Sequence, residues 1–327
     1  MASESSSATP LRSGERPLLV VVLGPTGIGK TSRAIHIARA LGCEIINADS
    51  RQIFRGMAIG TAQPTNAERL NVPHHFVDFI EVEDHYSAGK FETDAIHWLM
   101  DWFGSHKTAV MAGGSGLYIK AVLEGLDEMP SNLGIRKNLN LRHEDEGIAA
   151  LAKELESLDP SHAASMDLQN PQRVIRALEV CLASGKPFSS FHKKDSANRP
   201  FDVLTIGLEM ERDALVDRIN QRVDSMVAEG MKEEAAALHS KAQLNALQTV
   251  GYREWFECFD GQSSDAQAIE KIKVHTRQFA KRQMTWFKKM ENIHWLNAFD
   301  TAAVENIVQE TCRRRQWNMH QAFSAAE

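Results

Sequence analysis

The stretch from Leu18 to Leu23 is an unbroken apolar run, LLVVVL, followed at once by Gly24-Pro25-Thr26-Gly27-Ile28-Gly29-Lys30-Thr31 and then by apolar residues at helical spacing as far as Leu41. A strand without polar alternation is buried on both faces, which happens when helices cover both sides of a parallel sheet. Between such a strand and a helix, GxxxxGK[ST] has a mechanical meaning. The glycines let backbone N–H groups converge on phosphate oxygens, the helix N-terminus adds positive potential, Lys30 supplies charge, and the Thr31 hydroxyl is placed to hold Mg²⁺. These eight residues form the candidate phosphate-binding set. They predict an α/β fold with a P-loop NTPase-like parallel sheet.

The rest of the chain extends this pattern. A second strand is expected over Glu44–Ala48, ending in Asp49-Ser50-Arg51-Gln52, and a third over Thr108–Ala112, ending in Gly113-Gly114-Ser115-Gly116. In a parallel α/β sheet ligands gather at the carboxyl ends of the strands, so both clusters fall on the functional edge. After Gly125 the chain turns charged and amphipathic, with helices expected over Ile135–Leu158 and Pro171–Ser184 and a loop over Lys193–Pro200. A strand returns at Asp202–Leu208, and long amphipathic helices are expected from Asp213 to the end. The expected organisation is a disordered tail over 1–17, a core over 18–125 and 201–327 with C-terminal helices, and a helical insert over 126–200.

Composition narrows the class. The 327 residues include four cysteines, Cys43, Cys181, Cys258 and Cys312, too far apart for CxxC pairs, so a disulfide framework or a zinc site is not indicated. There is neither a signal-like apolar segment near the start nor a run long enough to span a membrane. A cytoplasmic, monomeric protein is expected. With a net charge of −6 the chain is not a basic nucleic-acid binder overall. Yet Lys273, Arg277, Lys281, Arg282, Lys288 and Lys289 lie in one stretch without an acid, interleaved with Phe279, Trp286 and Phe287. That stretch reads equally as a phosphodiester-binding helix or as an amphipathic helix that buries Phe279 and Trp286.

Two details separate this pocket from a nucleotide hydrolase. Val110-Met111-Ala112 runs into Gly113 without the carboxylate that usually holds magnesium there. Asp49 instead ends a neighbouring strand, where it is either a general base or a turn-stabilising Asp. Ser115 likewise either offers a hydroxyl to a phosphate or base, or simply belongs to a tight turn. A small-molecule kinase, a prenyltransferase of free adenine nucleotides and a nucleotide switch are the competing readings.

Set together, the blocks GPTGIGKT, NADSRQIFRGMAIGTAQP, VPHHFVD, YSAGKFE, AGGSGLYIKAVLEGL, NPQRVIRALEV, VGYRE and TRQFAKRQMTWF, spread from Leu18 to about Leu296, resemble the bacterial tRNA dimethylallyltransferases. The resemblance implies transfer of a dimethylallyl group from dimethylallyl diphosphate to N6 of the adenosine 3′ of the anticodon, in tRNAs reading U-initial codons, with Mg²⁺. It implies catalytic roles for Asp49 as base, Ser115, and Arg222 as a clamp on the leaving diphosphate. It further implies tRNA contacts by Asp49, Ser50, Arg51, Gln52, Ser115, Arg136, Gln172, Arg173, Val174, Ile175, Arg176, Gln248, Thr249, Val250, Gly251, Tyr252 and Arg253, to which the basic stretch adds Arg277, Lys281 and Arg282. Two departures stand out: Ser115 where the family usually has Thr, and Gly27-Ile28 where Ala-Ser is commoner. The Cys/His zinc finger of eukaryotic members is absent from the sequence.

Overall fold

The computed structural model describes residues 15–191, 197–320 and 323. Most of the tail expected over 1–17, and part of the Lys193–Pro200 loop, lie outside the described residues. Two compact units emerge: one contains the chain up to Leu123 and from Arg199 onward, and the other is Glu124–Asn198.

The first unit is built on one parallel sheet of order β3-β2-β4-β1-β5-β6. Its strands are β1 (Leu18–Leu23), β2 (Ile45–Asn47), β3 (His74–His75), β4 (Thr108–Gly113), β5 (Asp202–Glu209) and β6 (Ile293–Asn297). β1 explains the architecture from its own sequence. Leu18, Val20 and Val22 join one apolar cluster with Ile37, Ile206 and Val308, while Leu19, Val21 and Leu23 join another with Phe91, Met111 and Ile119. Alternate residues enter opposite cores, so neither face of the strand tolerates a polar side chain. A third apolar cluster gathers Ile53, Met57, Val223, Tyr252, Trp255 and Ile272 among the later helices.

Register brings the functional edge together. Leu23 lies opposite Gly113 of β4 and Gly207 of β5, and Asn47 opposite Ala112. β4, and not β2, is the neighbour of β1, so Asp49 reaches the phosphate loop from one strand further away than the sequence order suggests. The expectation of helices alone after Asp213 is corrected by β6, which pairs in parallel with β5. Its burial is partial and its sequence, IHWLN, is short, so an edge strand held by its partner left little periodic signal.

The second unit packs the helices Leu133–Glu146, Ile148–Leu158, Pro160–Ser165 and Pro171–Ser184 around Leu139, Leu151, Leu155, Val174 and Leu178. The stretch expected to be helical over Ile135–Leu158 is two helices that meet at Gly147, whose φ of 78° suits glycine. Asn170 caps the last helix by accepting from Arg173 N–H, with Pro171 in the first turn, where a missing N–H does no harm. Among the described residues no helix is long and apolar enough to cross a membrane.

Candidate active site

The phosphate loop takes its shape from three glycines with positive φ, Gly24 at 153°, Gly27 at 81° and Gly29 at 98°. Gly29 caps the helix Lys30–Leu41 without a side-chain acceptor, and there is no acid in the first turn, so the N-terminal N–H groups stay open to an anion. Ile28 is buried in the core and anchors the loop from below, while Arg218 Nε donates to Gly27 O at 3.0 Å. Lys30 Nζ donates to Pro25 O at 2.9 Å. Burial pushes the Lys30 ammonium down to about 8, with Asp49 opposing the fall and Arg222 adding to it.

Lys30, Thr31, Asp49 and Arg222 line one cavity of about 710 Å³. Arg222 is brought there by the helix Arg212–Ala228, and burial lowers its pKa against the attraction of Asp49. Asp49 Oδ1 accepts from Arg51 N–H at 2.9 Å and from Gln52 N–H at 3.4 Å, while Oδ2 has no hydrogen-bond partner among the described residues. The turn-stabilising and acid–base readings of Asp49 are therefore compatible: one oxygen shapes the turn and the other remains available.

Ser115 lies in the turn after β4, as expected, and is bonded to the turn after β2. Its Oγ accepts from Ser50 N–H at 2.9 Å and donates to Ser50 Oγ at 3.1 Å, and its own N–H donates to Ala48 O at 3.1 Å. It is absent from the cavity lining. Of the two readings of Ser115, its contacts carry the turn: the hydroxyl braces the segment that holds Asp49.

Sequence reasoning missed Gln283. This buried side chain lines the cavity, its Oε1 accepting from Thr26 N–H at 2.8 Å and its Nε2 donating to Gly114 O at 2.9 Å. The only signal was a polar residue on the inward side of the basic stretch.

The residues expected to meet nucleic acid divide into two groups. Gln172, Arg173, Gln248, Arg253, Lys281 and Arg282 are exposed. Phe279 and Trp286 are 39% and 40% exposed, which overturns the reading that the helix Asp265–Phe287 buries them; Ala280, Gln283 and Phe287 form its inner face. Arg282 lies over the Phe279 ring at 5.9 Å, and Arg277 donates to Asn220 Oδ1 at 2.7 Å. The other group is structural. Val174 and Ile175 are buried in the core of the helical unit, and Tyr252 is fully buried, so surface contact through these side chains is corrected. Tyr252 OH donates to Glu234 at 2.6 Å, and Glu234 accepts the N–H groups of Ile59 and Gly60 at 2.8 Å, fastening a cavity wall. Gln52 Nε2 donates to Thr61 O and Ala62 O at 2.9 and 2.7 Å and holds the same wall. Arg51 donates to the carbonyls of Asn245 and Ala246. Ser50, Thr249 and Val250 are half-buried, and Gly251 is buried. Arg136 and Arg176 both bond Glu179, which is fully buried. Burial resists ionisation of Glu179, but Arg176, the Asn132 N–H and Arg136 hold it below the usual carboxylate range.

Fold and site together define a P-loop-type α/β protein whose phosphate cradle faces an acid from the neighbouring part of the sheet. The chain belongs to the IPP transferase family, whose model matches residues 52–290. It is 51% identical to the tRNA dimethylallyltransferase of Christiangramia forsetii, over 85% of this chain and 92% of that protein. It is 44% identical to that of Flavobacterium psychrophilum, over 89% and 97%. Among solved structures, the full-length tRNA isopentenylpyrophosphate transferase of Bacillus halodurans matches with a TM-score of 0.67 and 34% identity, covering 92% of this chain and 97% of that one. A eukaryotic dimethylallyltransferase captured acting on tRNA shares the fold, with a TM-score of 0.77 at 24% identity over 94% of this chain and 82% of its own.

Proposed function

We propose that the protein transfers a dimethylallyl group from dimethylallyl diphosphate to N6 of the adenosine 3′ of the anticodon, in tRNAs reading U-initial codons. The observation that carries this reading is one cavity in which the phosphate loop, Lys30 and Arg222 lie with Asp49, at a sheet edge where β4 ends in glycine. The cations favour charge on a departing diphosphate and the acid accepts a proton, which suits alkyl transfer better than water activation.

In the step itself, the allylic C–O bond breaks with its electron pair passing to the diphosphate. The adenine N6 lone pair forms the new C–N bond, and Asp49 takes the N6 proton. Lys30 and Arg222 hold the leaving group, and the open N–H groups after Gly29 add fixed dipoles that need no reorganisation. The target base leaves its stack to enter the cavity, as bases acted on by enzymes generally must. Outside the cavity, Lys281, Arg282, Gln172, Arg173, Gln248 and Arg253 are exposed to meet the RNA.

The donor set also fits magnesium. Thr31 brings a hydroxyl to the cavity, a hard oxygen donor of the kind that holds magnesium together with substrate oxygens. When bound, Mg²⁺ supplies positive charge to the diphosphate.

The test is incubation with unmodified tRNA, labelled dimethylallyl diphosphate and Mg²⁺, with AMP and ATP as parallel acceptors. Label in tRNA is expected. Label in the free nucleotides alone overturns the proposal.

A further inference from the structure

The helix Asp265–Phe287 presents two chemistries on opposite sides. Lys281 and Arg282 are exposed, whereas the next residue, Gln283, is 7% exposed and inside the cavity. A buried primary amide needs partners for both ends, and Gln283 finds them in two different loops. Its carbonyl takes Thr26 N–H, in the third position of the phosphate loop, and its NH₂ gives a proton to Gly114 O, in the turn after β4.

That turn is itself tied to the acid. Ser115 N–H bonds Ala48 O, the residue before Asp49, and Ser115 Oγ bonds Ser50 N–H, the residue after it. A path of hydrogen bonds, with the Gly114–Ser115 peptide as its one covalent step, therefore runs from Thr26 through Gln283 to both sides of Asp49. Neighbouring space is filled to match: a Cβ on Gly114 would overlap Gln283 Nε2, and one on Gly113 would overlap Ala48 O. Because β4 lies between β1 and β2, the loop and the acid do not share a strand pairing, and a side-chain link is needed to fix their separation.

We infer that Gln283 is a positioning residue for the transfer reaction, a two-sided amide link that holds the phosphate loop at a set distance from the turn carrying Asp49. It acts through Thr26 and Gly114 and not by touching the adenine. The inference rests on the proposed transferase reading.

Two variants test it, Gln283→Leu and Gln283→Glu. Removing both bonds in Gln283→Leu lowers kcat about 10- to 100-fold, the scale expected when reacting groups are misplaced by roughly 1 Å. The donor KM does not rise, because Thr26 N–H is released and not lost, and tRNA affinity in a filter-binding assay stays within about twofold, since Lys281 and Arg282 face outward. Gln283→Glu keeps the acceptor for Thr26 but, when ionised, has no proton for Gly114 O. Its activity relative to wild type rises as pH falls from 8 toward 5.5, where a protonated carboxyl restores that donor. A purely structural defect would not follow pH in this way. Combining Gln283→Leu with Ser115→Ala gives a smaller loss than the product of the two, because both break one chain.

Hydrogen exchange gives an activity-independent readout: the amides of the phosphate loop exchange faster in Gln283→Leu than in wild type. Unchanged exchange at Thr26 overturns the link. An active wild type with unchanged kcat in Gln283→Leu, or a fall in tRNA affinity as large as that in kcat, overturns the positioning role alone. A wild type that labels no RNA overturns the transferase reading and the positioning role with it, while exchange still decides the link.

Discussion

Two glycine-rich turns end adjacent strands of the sheet and use glycine for opposite reasons. In Gly24–Thr31 the glycines have φ of 153°, 81° and 98°, so the side chain is absent to let the backbone adopt its tight curve. None of the glycines in Gly113–Gly116 has a positive φ; there the missing side chains make room for Ala48 O, the Gln283 amide and the Trp286 ring. One turn uses glycine for conformation, and the other uses it as a close-packed joint. Similar composition therefore hides different physics, and only the neighbours reveal which is which.

This contrast is open to attack in order of effect. The largest loss belongs to the acid that the second turn positions: Asp49→Ala lowers kcat by about 10² to 10⁴-fold with tRNA affinity unchanged, and near-normal turnover removes Asp49 as the base. Next comes the charge on the binding turn. Lys30→Met lowers kcat/KM for the donor by roughly 100-fold while raising stability by about 1–3 kcal/mol, since a buried ammonium is lost. The sign for wild type follows from its lowered pKa of about 8 against the ordinary 10.5. Between those values the unfolded chain binds more protons, so the contribution of Lys30 to stability improves as pH rises through that window, whereas donor binding declines above about 8 as the charge disappears. Denaturation curves and donor kinetics across pH check the two opposite slopes.

The glycines themselves give the third comparison. Gly27→Ala strains a residue at φ 81° and brings a Cβ to 3.0 Å from Ile219 Cγ1, whereas Gly114→Ala meets a displaceable amide. The first substitution costs about 1–3 kcal/mol of stability as well as donor affinity. The second lowers kcat about tenfold with little change in melting temperature, as loss of the Gln283 link does. Equal stability losses would erase the distinction. The smallest effect is on the outer face of the helix, where neutralising Lys281 and Arg282 reduces the salt slope of tRNA binding by about one to two. An unchanged slope removes both residues from the RNA surface.

Much of the core was legible before any coordinates because local chemistry specified it. LLVVVL reads as a doubly covered strand, and GPTGIGKT between it and a helix as a glycine loop of the phosphate-binding type; β1 spans Leu18–Leu23 and the helix begins at Lys30, as expected. The illegible parts depended on contacts distant in sequence. β6 forms because β5 offers an edge, not because IHWLN is strongly patterned. Tyr252, Val174 and Ile175 sit inside motif blocks that read as RNA contacts, and their burial depends on helices tens of residues away.

What the sequence determined by itself is therefore the strand–glycine loop–helix unit and the parallel α/β framework, since each is written in consecutive residues, and it placed Asp49 as a candidate at the end of a neighbouring strand. What only the tertiary structure decided is how these parts are held together. Ser115 is engaged as a brace for the turn carrying Asp49, Phe279 and Trp286 are left partly exposed while Phe287 is buried, and Gln283, 257 positions from Thr26, joins the glycine loop to the turn after β4. Periodicity and spacing report short-range order, whereas a side-chain amide shared by two loops exists only once the sheet has brought their strands side by side.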